Sequence, residues 1–124
     1  MEASKLNELY VKNGLTKDDV FTHKFFTIIK RNGIDKIQAK NNIVIEYNLD
    51  RVSDDHKSVI IKATAYYGDK VIQTYGEANP QNTTASYPVA IAEKRAMSRA
   101  VLKLTGFYEI GHYGEDEADE FNRK

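Results

Sequence analysis

The feature that most constrains the fold is the stretch YPVAIAEKRAMSRAVLKLTGF at residues 87–107, which predicts one long helix. Pro88 suits the first turn, where its missing N–H costs nothing, and Gly106 suits the position just after the last turn. Alanine recurs every fourth residue along one side, at Ala92, Ala96 and Ala100. We expect this side to pack closely on a sheet, because small side chains let the helix axis approach the strands.

A second side of this helix carries a row of basic residues after Glu93. The cations are Lys94, Arg95, Arg99 and Lys103, and no acid lies four residues away to pair with them along the helix. Consecutive members of the Arg95, Arg99 and Lys103 row lie one turn apart, about 6 Å, which is on the order of the spacing of phosphates on a single strand. The row therefore predicts contact with a nucleic-acid backbone.

Two other interpretations of the row stay open at this stage. Basic side chains commonly do no more than solubilise an exposed helix face. Ile91 and Leu102, however, lie beside the cations, and apolar residues on a solvated face need a partner. That partner is either a set of bases or another subunit, so a structural or assembly protein is the rival hypothesis.

Three strands are predicted upstream of this helix. Residues 43–49 alternate apolar and polar side chains, which is the period-2 pattern of a strand with one buried face. Residues 58–67 and 71–78 are rich in β-branched and aromatic side chains and are joined by the turn sequence GDK. Residues 79–86 contain Asn, Pro, Thr and Ser and are predicted to form a loop.

The pattern as a whole predicts an α+β domain. Its antiparallel sheet has three to five strands, with a short N-terminal helix at residues 4–12 and the long C-terminal helix packed on one face. The sequence RNGI after the apolar residues 25–29 predicts a turn. We place one domain at residues 1–108 and an acidic C-terminal tail at residues 109–124.

Charge separates the two parts. The chain has a net charge of zero, but residues 109–124 contain six acids and two bases, so residues 1–108 carry a net charge of +4. A modestly basic body favours an acidic partner such as nucleic acid, and the tail could compete for the basic groove or recruit a replication or recombination protein. The chain has no cysteine, no signal-peptide pattern and no membrane-spanning run, so we expect a cytoplasmic protein without a membrane partner.

Other residues are candidate helpers for a bound strand. Tyr66, Tyr67 and Tyr75 fall on the two hairpin strands, so alternation should direct at least one of them away from the core, where Lys62 could accompany it. Lys30 and Arg31 flank the predicted glycine turn and could reach phosphate. The structural alternative for each tyrosine is packing against a helix.

Catalysis is not predicted. The three histidines are far apart in sequence, and neither a metal-ligand spacing such as HExxH nor a glycine-rich phosphate loop is present. We therefore expect no enzyme activity, no cofactor and no metal.

The stretch GEANPQNTTASYPVAIAEKRAMSRAVLKLTGF resembles the last strand and helix of phage single-strand annealing proteins. These form the Erf-like group, which is related in fold to the Rad-type annealing mediators. The matched pattern is an acid, Arg-Ala, a small residue and Arg-Ala-Leu, carried here by residues 93–102. The resemblance implies a β-β-β-α core at residues 43–106, single-stranded DNA as ligand and a homo-oligomer. A double-stranded-RNA-binding domain has a similar element order, but PVAIAEK replaces the paired lysines expected at the start of its final helix.

The leading hypothesis is a non-enzymatic protein of a phage or mobile element that binds single-stranded DNA in replication or recombination, and that could also anneal strands. The predicted nucleic-acid contacts are Arg95, Arg99, Lys103, Lys94, Lys30, Arg31, Lys62, Tyr66, Tyr67 and Tyr75.

Overall fold

The structure is a computed structural model that describes residues 3–117. The α-helices with both ends in this range are α1 (Ala3–Lys12), α2 (Arg31–Lys40) and α3 (Pro88–Leu104). The strands are β1 (Val20–Thr22), β2 (Thr27–Ile29), β3 (Val44–Val52), β4 (Val59–Tyr67), β5 (Lys70–Ala78) and β6 (His112–Gly114). Short 3-10 turns occupy Lys17–Asp19 and Tyr108–Ile110.

The main sheet is antiparallel, with the strand order β3–β4–β5. The central strand β4 alternates strictly: Ile61, Ala63 and Ala65 are buried, while Lys62 and Tyr66 point to the opposite face. The buried face packs on α3. This arrangement confirms the predicted α+β class, with a three-stranded antiparallel sheet and a long C-terminal helix on one face.

The contact between α3 and the sheet is as close as the alanine pattern predicts. Ala92, Ala96 and Ala100 are fully buried. Opposite them on β5, a Cβ added at Gly76 would lie 2.0 Å from the backbone oxygen of Ala92 and 2.5 Å from the backbone nitrogen of Ala96. Only glycine at this position lets the helix backbone approach the strand so closely.

A second, smaller sheet covers the other side of α3. β1 and β2 form an antiparallel hairpin, and β6 pairs with β2 in parallel. Gly114 of β6 lies directly against Ser98 of α3, since an added Cβ would meet the Ser98 side chain at 2.7 Å. The helix is therefore buried on both sides from Arg95 to Leu102, with only Arg99 partly exposed.

The boundary that we predicted between domain and tail is wrong. His112 and Gly114 are buried in β6, and Glu117 is only 1% exposed, so packed structure continues at least to residue 117. The acidic composition from residue 109 onward hid these pairings, which join β6 to a strand more than eighty residues earlier. The remaining tail residues, 118–124, lie outside the described part of the chain.

The turn that we predicted at RNGI is also wrong, because Arg31–Lys40 form helix α2. Gly33 lies inside this helix and is buried, and an added Cβ there would lie 2.6 Å from the Ile29 side chain and 3.2 Å from Asp19. Ile34 and Ile37 of the same helix join the core. The glycine thus serves close packing of α2 and not a reversal of the chain.

Candidate nucleic-acid interface

The structure places Arg95 in the interior and not on an exposed row. Its side chain has 0% exposure, and its guanidinium donates at least four hydrogen bonds. Nε donates to the Asp116 carbonyl at 2.9 Å, Nη1 to the Glu77 carbonyl and the Asn82 side chain at 2.8 Å each, and Nη2 to the Asn82 carbonyl at 2.9 Å. The prediction that Arg95 contacts phosphate is therefore wrong, because the guanidinium is enclosed by protein acceptors.

The regular spacing of the arginines has a second structural reason. β5 is an edge strand, and Arg95 and Arg99 donate to two of its alternate backbone carbonyls, those of Glu77 and Tyr75. Successive helix turns are about 5.4 Å apart, and alternate residues of a strand are about 6.7 Å apart, so the two repeats nearly match. The arginines thus satisfy carbonyls that would otherwise be free to pair with another strand.

Arg99 is the member of the row that is only partly enclosed. Its side chain is 21% exposed, Nε donates to the Glu117 carboxylate at 2.9 Å, and Nη1 donates to the Tyr75 carbonyl at 2.6 Å. The same side chain lines a depression of about 250 Å³ together with Asp50, Ile60, Tyr75 and Glu77. Arg99 therefore stands between the acidic residues that follow β6 and the outer face of the sheet.

We call residues Glu115, Asp116 and Glu117 the acidic segment. Glu115 accepts a 2.6 Å hydrogen bond from the backbone N–H of Arg31, the first residue of α2. Asp116 lies 3.6 Å from the Arg31 guanidinium. Burial raises the pKa of Asp116, although the positive charges of Arg31 and Lys94 oppose the rise.

The acidic segment thus brings four of the predicted cations to one place. The positive charges of Arg31 and Lys94 attract the Asp116 carboxylate. Arg95 donates a hydrogen bond to the Asp116 carbonyl, and Arg99 forms an ion pair with Glu117. The pairing that we did not find along the helix is supplied by residues far away in sequence. In this conformation carboxylates occupy the positions at which we expected phosphates.

Two other predicted cations lie apart from this cluster. Lys103 is exposed at the end of α3, with its ammonium 5.3 Å from the ring centre of Tyr108. Lys30 is exposed at the N-cap of α2, and its backbone N–H donates to the Asp19 carbonyl at 2.8 Å. The ten predicted site residues therefore do not form one continuous surface.

The outer face of the main sheet carries three of them. Lys62 and Tyr66 of β4 point away from α3, and Tyr75 of β5 lies directly opposite Lys62 in the register. Tyr66 is 37% exposed and Tyr75 is 49% exposed, which confirms that at least one of the hairpin tyrosines points away from the core. We call this surface the open face.

Tyr67 does not belong to the open face. It lies on the helix side of the sheet, packs against the core and donates a hydrogen bond from its hydroxyl to the Asn41 side chain at 3.1 Å. Its half-buried ring lies away from the open face, so the structure does not support the prediction that it stacks on a base there.

The open face is close to neutral in charge. Lys62 and Arg51 contribute cations, and acids stand among them on β3 and β5, at Glu46, Asp50 and Glu77. A hydrogen bond with Glu46 raises the pKa of the Tyr66 hydroxyl. Any polyanion bound here must gain most of its affinity from contacts with the exposed rings.

The pair of apolar residues in the rival hypothesis does not form a surface. Leu102 has 0% exposure and belongs to the core between α3 and the second sheet, and Ile91 is half-buried beside the main sheet. Leu102 therefore cannot contribute to a subunit interface, whereas Ile91 keeps part of its surface accessible.

The described residues show no cluster of three or more histidines or acids that could hold a metal ion. Within residues 3–117, no helix has the length and apolar character needed to cross a bilayer.

Comparisons of the chain with protein-family models, with curated proteins and with solved structures found no match. The resemblance to phage annealing proteins therefore stays a prediction that rests on the quoted residues alone.

The sequence alone did not indicate that the acidic segment is the partner of the cations. A signal for the burial of α3 was nevertheless present, because Met97, Ser98, Val101 and Leu102 surround the helix with small or apolar side chains beyond the alanine side. A helix that is apolar almost all round is a buried helix, and an arginine within it needs buried acceptors.

Proposed function

We propose that the protein binds single-stranded nucleic acid, with DNA favoured, and does no chemistry of its own. The observation that supports this proposal is the open face, where Tyr66 and Tyr75 expose their rings and Lys62 lies directly opposite Tyr75. Aromatic rings on an exposed sheet are the platform on which single strands stack their bases. Duplex bases are already stacked on each other, so such a platform favours the single strand.

The geometry of the face sets the number of bases that it can engage. Lys62, which lies opposite Tyr75 in the register, is four residues away from Tyr66 on β4. The two tyrosines are therefore separated by about 13 Å along the strand direction. Each ring would therefore stack on a different base. Stacking contributes about 1–3 kcal/mol per base, so two rings provide a modest but measurable affinity.

The charges of the face predict how salt acts on binding. A strand that neutralises one or two cations, Lys62 with or without Arg51, releases few counterions. The slope of log K against log salt should then be only about −0.7 to −1.4 for a single strand. A slope of this size separates stacking on the open face from binding along a basic row.

Fluorescence anisotropy with a labelled single strand of about 30 nucleotides tests the proposal. Tyr75→Ala should weaken binding about 5- to 150-fold, which corresponds to the loss of one stacked base. The matched control is Tyr87→Ala, because Tyr87 is 59% exposed but lies at the start of α3 and not on the open face. Equal effects of the two substitutions, or a wild-type protein that binds no strand, would contradict the proposal.

An assembly function is the second candidate, and the free edge of the sheet favours it. β3 forms the edge opposite β5 and exposes Val44 (61%) and Leu49 (57%). Such an edge can pair with the same strand of a second copy and form a homo-oligomer. Size-exclusion chromatography with light scattering tests this candidate, and a monomer at high protein concentration would contradict it.

A further inference from the structure

The acidic segment occupies contacts that are typical of phosphate recognition. The Glu115 carboxylate accepts a hydrogen bond from the backbone N–H of Arg31, the first residue of α2. Helix N-termini bind phosphate and carboxylate groups in the same way. The Glu117 carboxylate sits on the guanidinium of Arg99, a side chain whose planar donors suit both groups. Asp116 lies between them, 3.6 Å from the guanidinium of Arg31.

We infer that these contacts form a second binding site for the nucleic-acid backbone, in which the carboxylates of the acidic segment stand in for phosphates. We call this site, made by the N-terminus of α2 with Arg31, Lys94 and Arg99, the anion groove. The inference deepens the proposed function and rests on it, since the ligand is the same strand. The acidic segment is then an internal competitor of that strand.

The anion groove is continuous with the open face through Arg99. Arg99 donates to the Tyr75 carbonyl and lines the same depression as the Tyr75 side chain, while its Nε holds Glu117. A strand stacked on Tyr75 therefore has its backbone next to the first cation of the groove. Exchange of the Glu117 carboxylate for a phosphate keeps the positive charge of Arg99 paired throughout.

The attachment of the acidic segment to the fold allows such an exchange. The segment follows β6, which has only three residues and pairs with β2 at the edge of the small sheet. Short edge elements open at a lower free-energy cost than core elements. Glu117 itself is 1% exposed and holds Arg99, so it leaves only when another anion takes its place.

Neutralising the acidic segment tests the inference. The variant Glu115→Gln, Asp116→Asn and Glu117→Gln keeps the size of each side chain and removes the three negative charges from the groove, while Arg31 keeps its 3.6 Å contact with Asp35. It should bind the labelled single strand more tightly than wild type. The slope of log K against log salt should become steeper by about 0.7 for each phosphate gained, or about 2 for three phosphates.

The matched control changes the net charge equally at exposed acids outside the groove, with Glu8→Gln, Asp54→Asn and Glu109→Gln. This control should keep the wild-type salt slope. If the two triple variants bind alike, the anion groove is refuted while the open-face proposal stands. If wild type and both variants bind no strand, both proposals fail together.

The single variant Glu115→Gln provides a second measurement that does not depend on removing the buried Glu117 carboxylate, because Glu115 is exposed. In the wild-type protein the acidic segment keeps the groove occupied, so the strand gains its affinity from the open face. Glu115→Gln should steepen the slope of log K against log salt by about 0.7, which corresponds to one phosphate, and Glu109→Gln should leave the slope unchanged. Equal slopes for the two single variants would overturn the inference.

Discussion

Replacing Arg95 by lysine tests whether this residue of the cation row stabilises the fold through buried hydrogen bonds. The substitution keeps the positive charge and the helical propensity but replaces a planar fork of donors with one ammonium. The guanidinium reaches acceptors in three directions, towards Asp116, Glu77 and Asn82. A single Nζ atom cannot reach all of them from one position.

The expected cost follows from the acceptors that are left without a partner. Of the four hydrogen bonds described for Arg95, lysine can replace at most two, so at least two acceptors around the fully buried side chain lose this donor. Each buried group left unsatisfied costs about 1–3 kcal/mol, so the loss of two should lower the free energy of unfolding of Arg95→Lys by about 2–6 kcal/mol. This is a large fraction of the stability of a small domain.

Urea denaturation followed by circular dichroism measures this loss. The control is Lys103→Arg, which exchanges the same two residue types at an exposed position of the same helix and should change stability by less than about 0.5 kcal/mol. An Arg95→Lys protein as stable as wild type, with weaker strand binding, would refute the reasoning and restore Arg95 as a phosphate contact.

Three further predictions concern the packing that holds the site. Gly76→Ala should cost about 2–3 kcal/mol in urea denaturation, because its Cβ would lie 2.0 Å from the Ala92 oxygen; a loss below about 1 kcal/mol would argue against so close a contact. Burial lowers the pKa of His112, so the unfolded chain takes up this proton first and the free energy of unfolding should decrease as the pH falls below about 7. His112→Gln should flatten that pH dependence, and an unchanged slope would exclude this residue as the cause. Asp19→Asn should lower the free energy of unfolding by about 1–3 kcal/mol more than Asp18→Asn, measured by thermal unfolding. The reason is that the buried Asp19 carboxylate accepts three hydrogen bonds while Asp18 is exposed, and equal losses of stability would show that those bonds do not stabilise the fold.

The elements that the sequence predicted well are those with a strong local pattern. The alternation in β4 and the alanines of α3 report directly which side of each element is buried, and the close contact at Gly76 follows from them. The alternation in β3 does not report a buried face, because Tyr47 and Leu49 are exposed and only Ile45 is half-buried. The outward orientation of Tyr66 and Tyr75 is predictable for the same reason, since each lies one residue away from a buried neighbour.

The elements that the sequence did not predict depend on distant partners. Gly33 is a turn signal in local terms, and only its contacts with Ile29 and Asp19 explain its place inside a helix. β6 has three residues, too few for a pattern, and its partner β2 is far away in sequence. The residues next to Arg95 in sequence give no sign of the carbonyls that accept its hydrogen bonds, which belong to other elements. We therefore predicted that the basic row contacts phosphates.

The central claim is that a single strand stacks on the open face and gains little from charge. The most direct measurement is the affinity of the wild-type protein for a single strand and for a duplex of the same sequence, at several salt concentrations. We predict preference for the single strand with a slope of log K against log salt of about −0.7 to −1.4. No binding, equal affinity for the duplex, or a slope steeper than about −3 would contradict the claim, since such a slope requires more than four phosphate contacts.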